Sequence, residues 1–159
     1  MNNLEKLITD CLQTVNFTNR YIEICNSYPY YDERKNIKKA EIKQILDSEN
    51  LDFKISGNEN CFFKDYEFGD LNMRFLIGYK SGFIDALINF WNEDQTIQLC
   101  GGLITYCKYI DEKFSEKVKY RFPISTNQIM AKEIILKVVG LHKDFLYEFD
   151  SQWKNYLQQ

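Results

Sequence analysis

Histidine is almost missing from this chain: His142 stands alone among 159 residues. A transition-metal centre built on imidazoles is therefore not expected, and no metal or other cofactor is read from the sequence. Proline and glycine are scarce, at two and seven. That scarcity excludes a low-complexity or collagen-like chain, and with 45% hydrophobic and 27% charged residues it points to one folded domain over 1–159. The five cysteines, at 11, 25, 61, 100 and 107, are odd in number and contain no Cys-x-x-Cys. A disulfide framework and a zinc ribbon are both poor fits, and free buried thiols in a reducing compartment are expected. No apolar run approaches the roughly 18 residues of a membrane span. "MNNLEKLITD" lacks the charged-then-apolar order of a secretory signal. A cytoplasmic protein with no membrane partner is the expectation. A basic excess is absent as well: 20 Lys and Arg face 23 Asp and Glu, for a net charge of −3. Arg34-Lys35, Lys38-Lys39 and Lys117 to Arg121 read as solvated faces, so nucleic acid is not an expected partner. The acidic balance suits a basic protein instead.

What is present changes period along the chain. Residues 3–26 carry an apolar stripe at helical spacing: Leu4, Leu7, Ile8, Cys11, Leu12 and Val15, continuing through Phe17, Tyr21 and Ile24. Pro29 ends it. A second, polar helix is expected over 36–48, with Asn36 as its N-cap. Residues 1–50 thus form a helical part. Residues 51–99 alternate with period two. "LDFKIS", "NCFFKDY", "LNMRFLIGY" and "FIDALINFW" are joined by short Gly, Asn and Asp links, the mark of an antiparallel meander. "TIQL" (96–99) adds a short fifth strand. In 101–159 a mixed segment precedes a long helix. "GGLITYCKYIDEKF" (101–114) is ambiguous and reads as helix or irregular cover. Ser125 and Gln128 spell a capping box, and Gly140 implies close approach of that last helix to the sheet. The fold class is α+β: a meander of four to five strands against N-terminal and C-terminal helices.

The stretch "MRFLIGYKSGFIDALINFW" (73–91) is the most informative. Folded at Ser81-Gly82, it pairs Tyr79 with Ile84, Ile77 with Ala86, Phe75 with Ile88 and Met73 with Phe90. That face is wholly apolar. The other holds Leu76, Phe83, Leu87 and Trp91 with Arg74, Asp85 and Asn89 between them. A buried face does not keep unpaired charges, so the mixed face is partly wet. Aromatic residues and arginine beside charges have the makeup of an interface centre. Cover by residues 1–50 is the plainer alternative.

Catalytic signatures are missing. His142 sits beside Val139 and Leu146 on the apolar side of its helix and reads as structural. Nothing near Cys100 or Cys107 marks a Cys–His nucleophile. "GYKSG" lacks the glycine spacing of a phosphate loop. Acids gather at Asp65, Glu67 and Asp70, and again at Glu93 and Asp94. Alternate turns of a meander share an end, so these form an acidic edge.

The layout resembles the small immunity proteins of bacterial polymorphic toxin systems, those paired with contact-dependent, Rhs-type or type VI effectors. The likeness rests on "MRFLIGYKSGFIDALINFW", on "CGGLITYCKYID" after it, and on "FPISTNQIMAKEIILKVVGLHKDF", and it covers roughly residues 70–150. The resemblance implies a non-enzymatic protein that binds a cognate toxin domain and blocks its active site or substrate access. Asp65, Glu67, Asp70, Glu93 and Asp94 then face a basic toxin surface, with Phe83, Leu87 and Trp91 as apolar anchors beside Arg74 and Asp85. An adaptor or regulatory binding module and a carboxylate-dependent hydrolase are the two alternatives.

Overall fold

The computed structural model describes residues 3–94 and 98–157. Helices α1 (Asn3–Thr14), α2 (Phe17–Ser27) and α3 (Lys39–Ser48) come first. Strands β1 (Lys54–Ile55), β2 (Cys61–Phe68), β3 (Leu71–Lys80), β4 (Phe83–Asn92) and β5 (Gln98–Gly102) follow. Helices α4 (Leu103–Ile110), α5 (Phe114–Lys117) and α6 (Gln128–Tyr156) complete the chain. The sheet is an antiparallel meander in the order β1-β2-β3-β4-β5. The fold is α+β, and no described helix is long and apolar enough to cross a membrane.

The β3–β4 hairpin forms in the register read from the sequence, Tyr79 opposite Ile84 through Met73 opposite Phe90. Its turn residues Ser81 and Gly82 both have positive φ, 54° and 83°. Such a pair matches the right-handed twist of the flanking strands. Leu71, Met73, Phe75, Ile77 and Tyr79 alternate inward with Ile84, Ala86, Ile88 and Phe90, and every one is buried. The helices cover this face. Tyr106 of α4 lies over Gly101, where an added Cβ would come within 3.0 Å of its ring. The long helix α6 presents Ile134, Val138, Leu141, Phe145, Phe149 and Trp153 to the core. The Trp153 indole nitrogen donates to the Phe68 carbonyl oxygen at 3.0 Å, tying the far end of α6 to β2. His142 stacks on Phe75, ring centroids 3.7 Å apart, and its Nε2 meets the Tyr66 hydroxyl at 3.3 Å. Burial pulls its pKa down to about 3, so it sits in the core as a neutral ring.

Several local expectations give way to longer-range demands. The stripe over 3–26 is two helices, because Asn16 takes the left-handed conformation (φ 54°) and redirects the chain. Asparagine tolerates that region better than most residues, and both stripes still reach the core. Asn36 does not cap α3, which starts at Lys39. Its side-chain oxygen accepts instead from the Ser81 amide in the hairpin turn (3.2 Å), while the Glu41 carboxylate accepts from the Lys38 amide. Ser125 is likewise not the cap of α6. It is fully buried: its amide donates to Gly82, its carbonyl accepts from Lys35, and its hydroxyl donates to the Asn127 carbonyl. The cap is Asn127, whose side chain accepts from the Met130 amide at 2.9 Å. Within "LDFKIS" only 54–55 pair, and "KVKYRFPIS" touches the sheet through one bridge, Ile124 to Phe83. The ambiguous segment after Gly102 is helix. Of "TIQL", residues 96 and 97 lie outside the described residues.

Gly140 overturns another expectation, since an added Cβ there meets nothing within 4 Å. Gly140→Ala should therefore raise stability by about 1 kcal/mol, read as a higher urea midpoint at unchanged slope. Gly82 is the opposite case. A Cβ there would lie 2.8 Å from Arg34 Cβ and 2.9 Å from the Ser125 oxygen. Gly82→Ala should cost about 3 kcal/mol or more in the same measurement, from the positive φ and the collision together.

Candidate functional site

Alternation fixes the reverse face as firmly as the buried one. Across β2, β3, β4 and β5 it carries Glu67, Asn72 and Trp91 in one row, then Asp65, Arg74, Asn89 and Cys100 in the next. Further rows hold Phe63, Leu76, Leu87 and Gly102, then Cys61, Gly78 and Asp85. Cys61 is buried, while Phe63, Leu76, Leu87 and Trp91 are half-buried, and none of these belongs to the core cluster or packs against it. The expected cover by residues 1–50 is confined to one end. There Tyr31 stacks on Tyr120 (5.4 Å) and meets Phe83 (5.9 Å), with Arg34 over the Tyr31 ring at 4.0 Å. Among the described residues, the ring contacts that residues 1–50 make with this face are confined to that end.

Arg74 is not a loose charge on this face. Its Nε and Nη2 donate to the two carboxylate oxygens of Asp65 at 2.6 and 2.8 Å. Its guanidinium lies 4.1 Å over the Phe63 ring and 5.8 Å from that of Trp91. The hydrogen bonds from Arg74 hold the Asp65 carboxyl below its ordinary range. The pair is about a third exposed, so it adds little stability. Its effect is to lock a planar cation between two rings, preformed for contact. The sequence reading placed Asp65 and Glu67 in a turn. Both lie in β2, and Asp65 is neutralised by its partner, so it leaves the acidic edge. Glu67, Asp70, Glu93 and Asp94 remain exposed toward the end of the sheet where β2 passes into β3 and β4 ends. Phe63 was missed in the sequence because the Phe62-Phe63 doublet hides which ring faces the core. Only the pairing of Phe63 with Leu76 decides it.

Asp85 and Asn89 are the other polar members, and each has an enclosed Oδ1 with no hydrogen-bond partner. Asp85 lies where β4 is paired on one side alone, by Gly78 of β3: on the other side β5 ends opposite Leu87, and pairing resumes at the Phe83–Ile124 bridge. Burial pushes its carboxyl from 3.8 up to about 6.

Nucleophilic chemistry finds little purchase. Burial pushes the thiols of Cys11, Cys25 and Cys107 up to about 12, far from a thiolate at neutral pH. The His142 ring meets Phe75, Tyr66 and Phe145. Among the described residues no group of three His, Cys, Asp or Glu could hold a metal ion.

Comparisons of the chain with protein-family models, with curated proteins and with solved structures return no match. Function is therefore argued from the sheet face itself.

Asp85 has a measurable consequence in the free protein. Its folded pKa lies above its unfolded value, so the folded state binds the extra proton between pH 3.8 and 6. Stability from this residue is full below pH 3.8 and is lost as pH rises through 6. Asp85→Asn should raise the urea midpoint at pH 7 and change it far less at pH 4.

Proposed function

We propose that this chain is an immunity protein: a cytoplasmic, non-catalytic inhibitor that binds a cognate bacterial toxin domain stoichiometrically and blocks its active site or the approach of substrate. The observation that carries this reading is the uncovered sheet face. Phe63, Leu76, Leu87 and Trp91 lie outside the core, on rigid strands, around a preformed Asp65–Arg74 pair. Strand-borne side chains lose little freedom on binding, and aromatic and arginine side chains dominate interface energetics. A core face would have no use for the charges, and an ordinary solvated face would have no use for the rings.

The charge pattern supports the kind of toxin. Glu67, Asp70, Glu93 and Asp94 border one end of the face. An enzyme that acts on a polyanion carries a basic substrate surface, and such a surface meets this edge attractively. The acids would occupy the place of substrate phosphates and steer association, while the apolar centre sets the lifetime of the complex. The likeness of residues 70–150 to immunity proteins points the same way.

The test is co-purification and calorimetry with the toxin domain encoded beside this chain. A one-to-one complex is expected. Trp91→Ala and Leu87→Glu, both on the open face, should weaken it by more than tenfold while far-UV spectra stay unchanged. Reversal of Glu93 and Asp94 to lysine should slow association and flatten its salt dependence. A complex indifferent to all of these changes would place the binding surface elsewhere, and no complex at all would end the immunity reading.

A further inference from the structure

Beside Asp85 the open face dips into a shallow depression of about 650 Å³, walled by Phe83, Phe122 and Leu76. We infer that this depression receives one cationic side chain, a lysine or an arginine, from the protein that docks on the face, with the Asp85 carboxylate as its counterion; the inference rests on the docking role proposed above.

The site is built by omissions as much as by groups. Opposite Asp85 on β3 stands Gly78, so no side chain from that strand fills the space over the carboxylate. On the other side β5 has already ended. On the third, an added Cβ at Gly102 would still stand 4.0 Å from Asp85 Oδ1. The result is a half-buried acid with one oxygen enclosed and unpartnered, and among the described residues it forms no ion pair. Asp65, the acid two rows away, is fully paired by Arg74, so the face resolves one carboxylate internally and leaves the other open.

The walls select the ligand's chemistry. Phe83 and Phe122 meet edge to face with centroids 6.1 Å apart. Ring faces attract cations, and an alkyl stem packs on rings and on Leu76 while its charged head reaches the acid. The charged and titratable groups around Asp85 do not fill the role themselves. Glu59 on the rim is acidic and accepts from the Cys61 thiol, and Tyr79 and Tyr21 below are neutral phenols with raised pKa. Lys80, also at the rim, is exposed and stands opposite Phe83, one row beyond Asp85 and without an ion pair to it. Burial that costs the free protein stability becomes favourable once a desolvated cation arrives, because the attraction strengthens in the same low-dielectric setting.

The experiment uses the whole chain, ¹⁵N-labelled, titrated at pH 7.5 with n-butylammonium chloride and with butylguanidinium chloride. Sodium chloride at matched ionic strength, n-butanol and calcium chloride serve as separate arms. Saturable amide shifts at Gly78, Phe83 and Asp85 are expected with either organic cation, in the millimolar range. The Asp85 carboxyl titration should drop by more than about half a unit on saturation. In Asp85→Asn the response should weaken at least about tenfold. Shifts that track ionic strength without saturating would overturn the inference. So would equal shifts with butanol, equal shifts in Asp85→Asn, or saturation by calcium at lower concentration than by the amines. Because the titration needs no toxin, its failure leaves the Trp91 and Leu87 results standing, and failure of toxin binding leaves the amine result standing.

Discussion

A two-residue turn decides which side of this sheet is core. Side chains alternate along a strand, so one extra residue at Ser81-Gly82 would exchange the two faces of β4 relative to β3. The turn is held from outside as well as by its own dihedrals. Asn36 accepts from the Ser81 amide, Ser125 donates to the Gly82 carbonyl, and Lys35 donates back to Ser125. Two distant segments, residues 34–36 and Ser125, thus converge on a glycine with no room for a Cβ. The N-terminal helices, the hairpin and the entry to α6 share this junction, so the helical layer and the register of the sheet are set together.

That junction also explains which parts of the structure were legible in the sequence. The hairpin was readable because its signal is local: two apolar runs of opposite phase around a turn that admits positive φ. The meander order and the stripe of α6 were readable for the same reason. Asn36 and Ser125 were misread because each has the right chemistry for a local cap and is used for a remote bond. Capping preferences are worth about 1 kcal/mol, and a buried turn with unsatisfied amides can outbid them. The break at Asn16 was hidden because both helices keep their apolar stripes on one side. Gly140 was taken as a packing requirement, and it meets open space.

The candidate site was legible in outline and not in its pairing. Arg74, Asp85, Asn89 and Trp91 were placed on one face by period-two alternation alone, and they lie there. The Asp65–Arg74 pair depends on the register between β2 and β3, which spans the "EFGD" turn, and nothing in "NCFFKDYEF" says which phenylalanine is buried. The consequence is larger than one contact. With Asp65 committed to Arg74, the acidic edge loses a member, and the centre of the face becomes a cation held between rings instead of a row of free acids.

His142 and Asp85 resolve the same physical problem in opposite ways. His142, inside the core, escapes desolvation by shedding its proton, which at neutral pH costs almost nothing because its ordinary pKa is 6.5. Asp85, outside the helical layer, can escape only by taking up a proton, and at neutral pH its pKa of about 6 leaves it mostly ionised. A histidine on the inner face is therefore held as a neutral ring, although its Nδ1 is buried without a hydrogen-bond partner. An aspartate on the outer face stays half-buried and charged, with its Oδ1 enclosed and without a hydrogen-bond partner. Stability alone would favour an amide at that position. The same contrast separates the faces as wholes: the helices close over one, and the other keeps its rings and charges outside the core cluster.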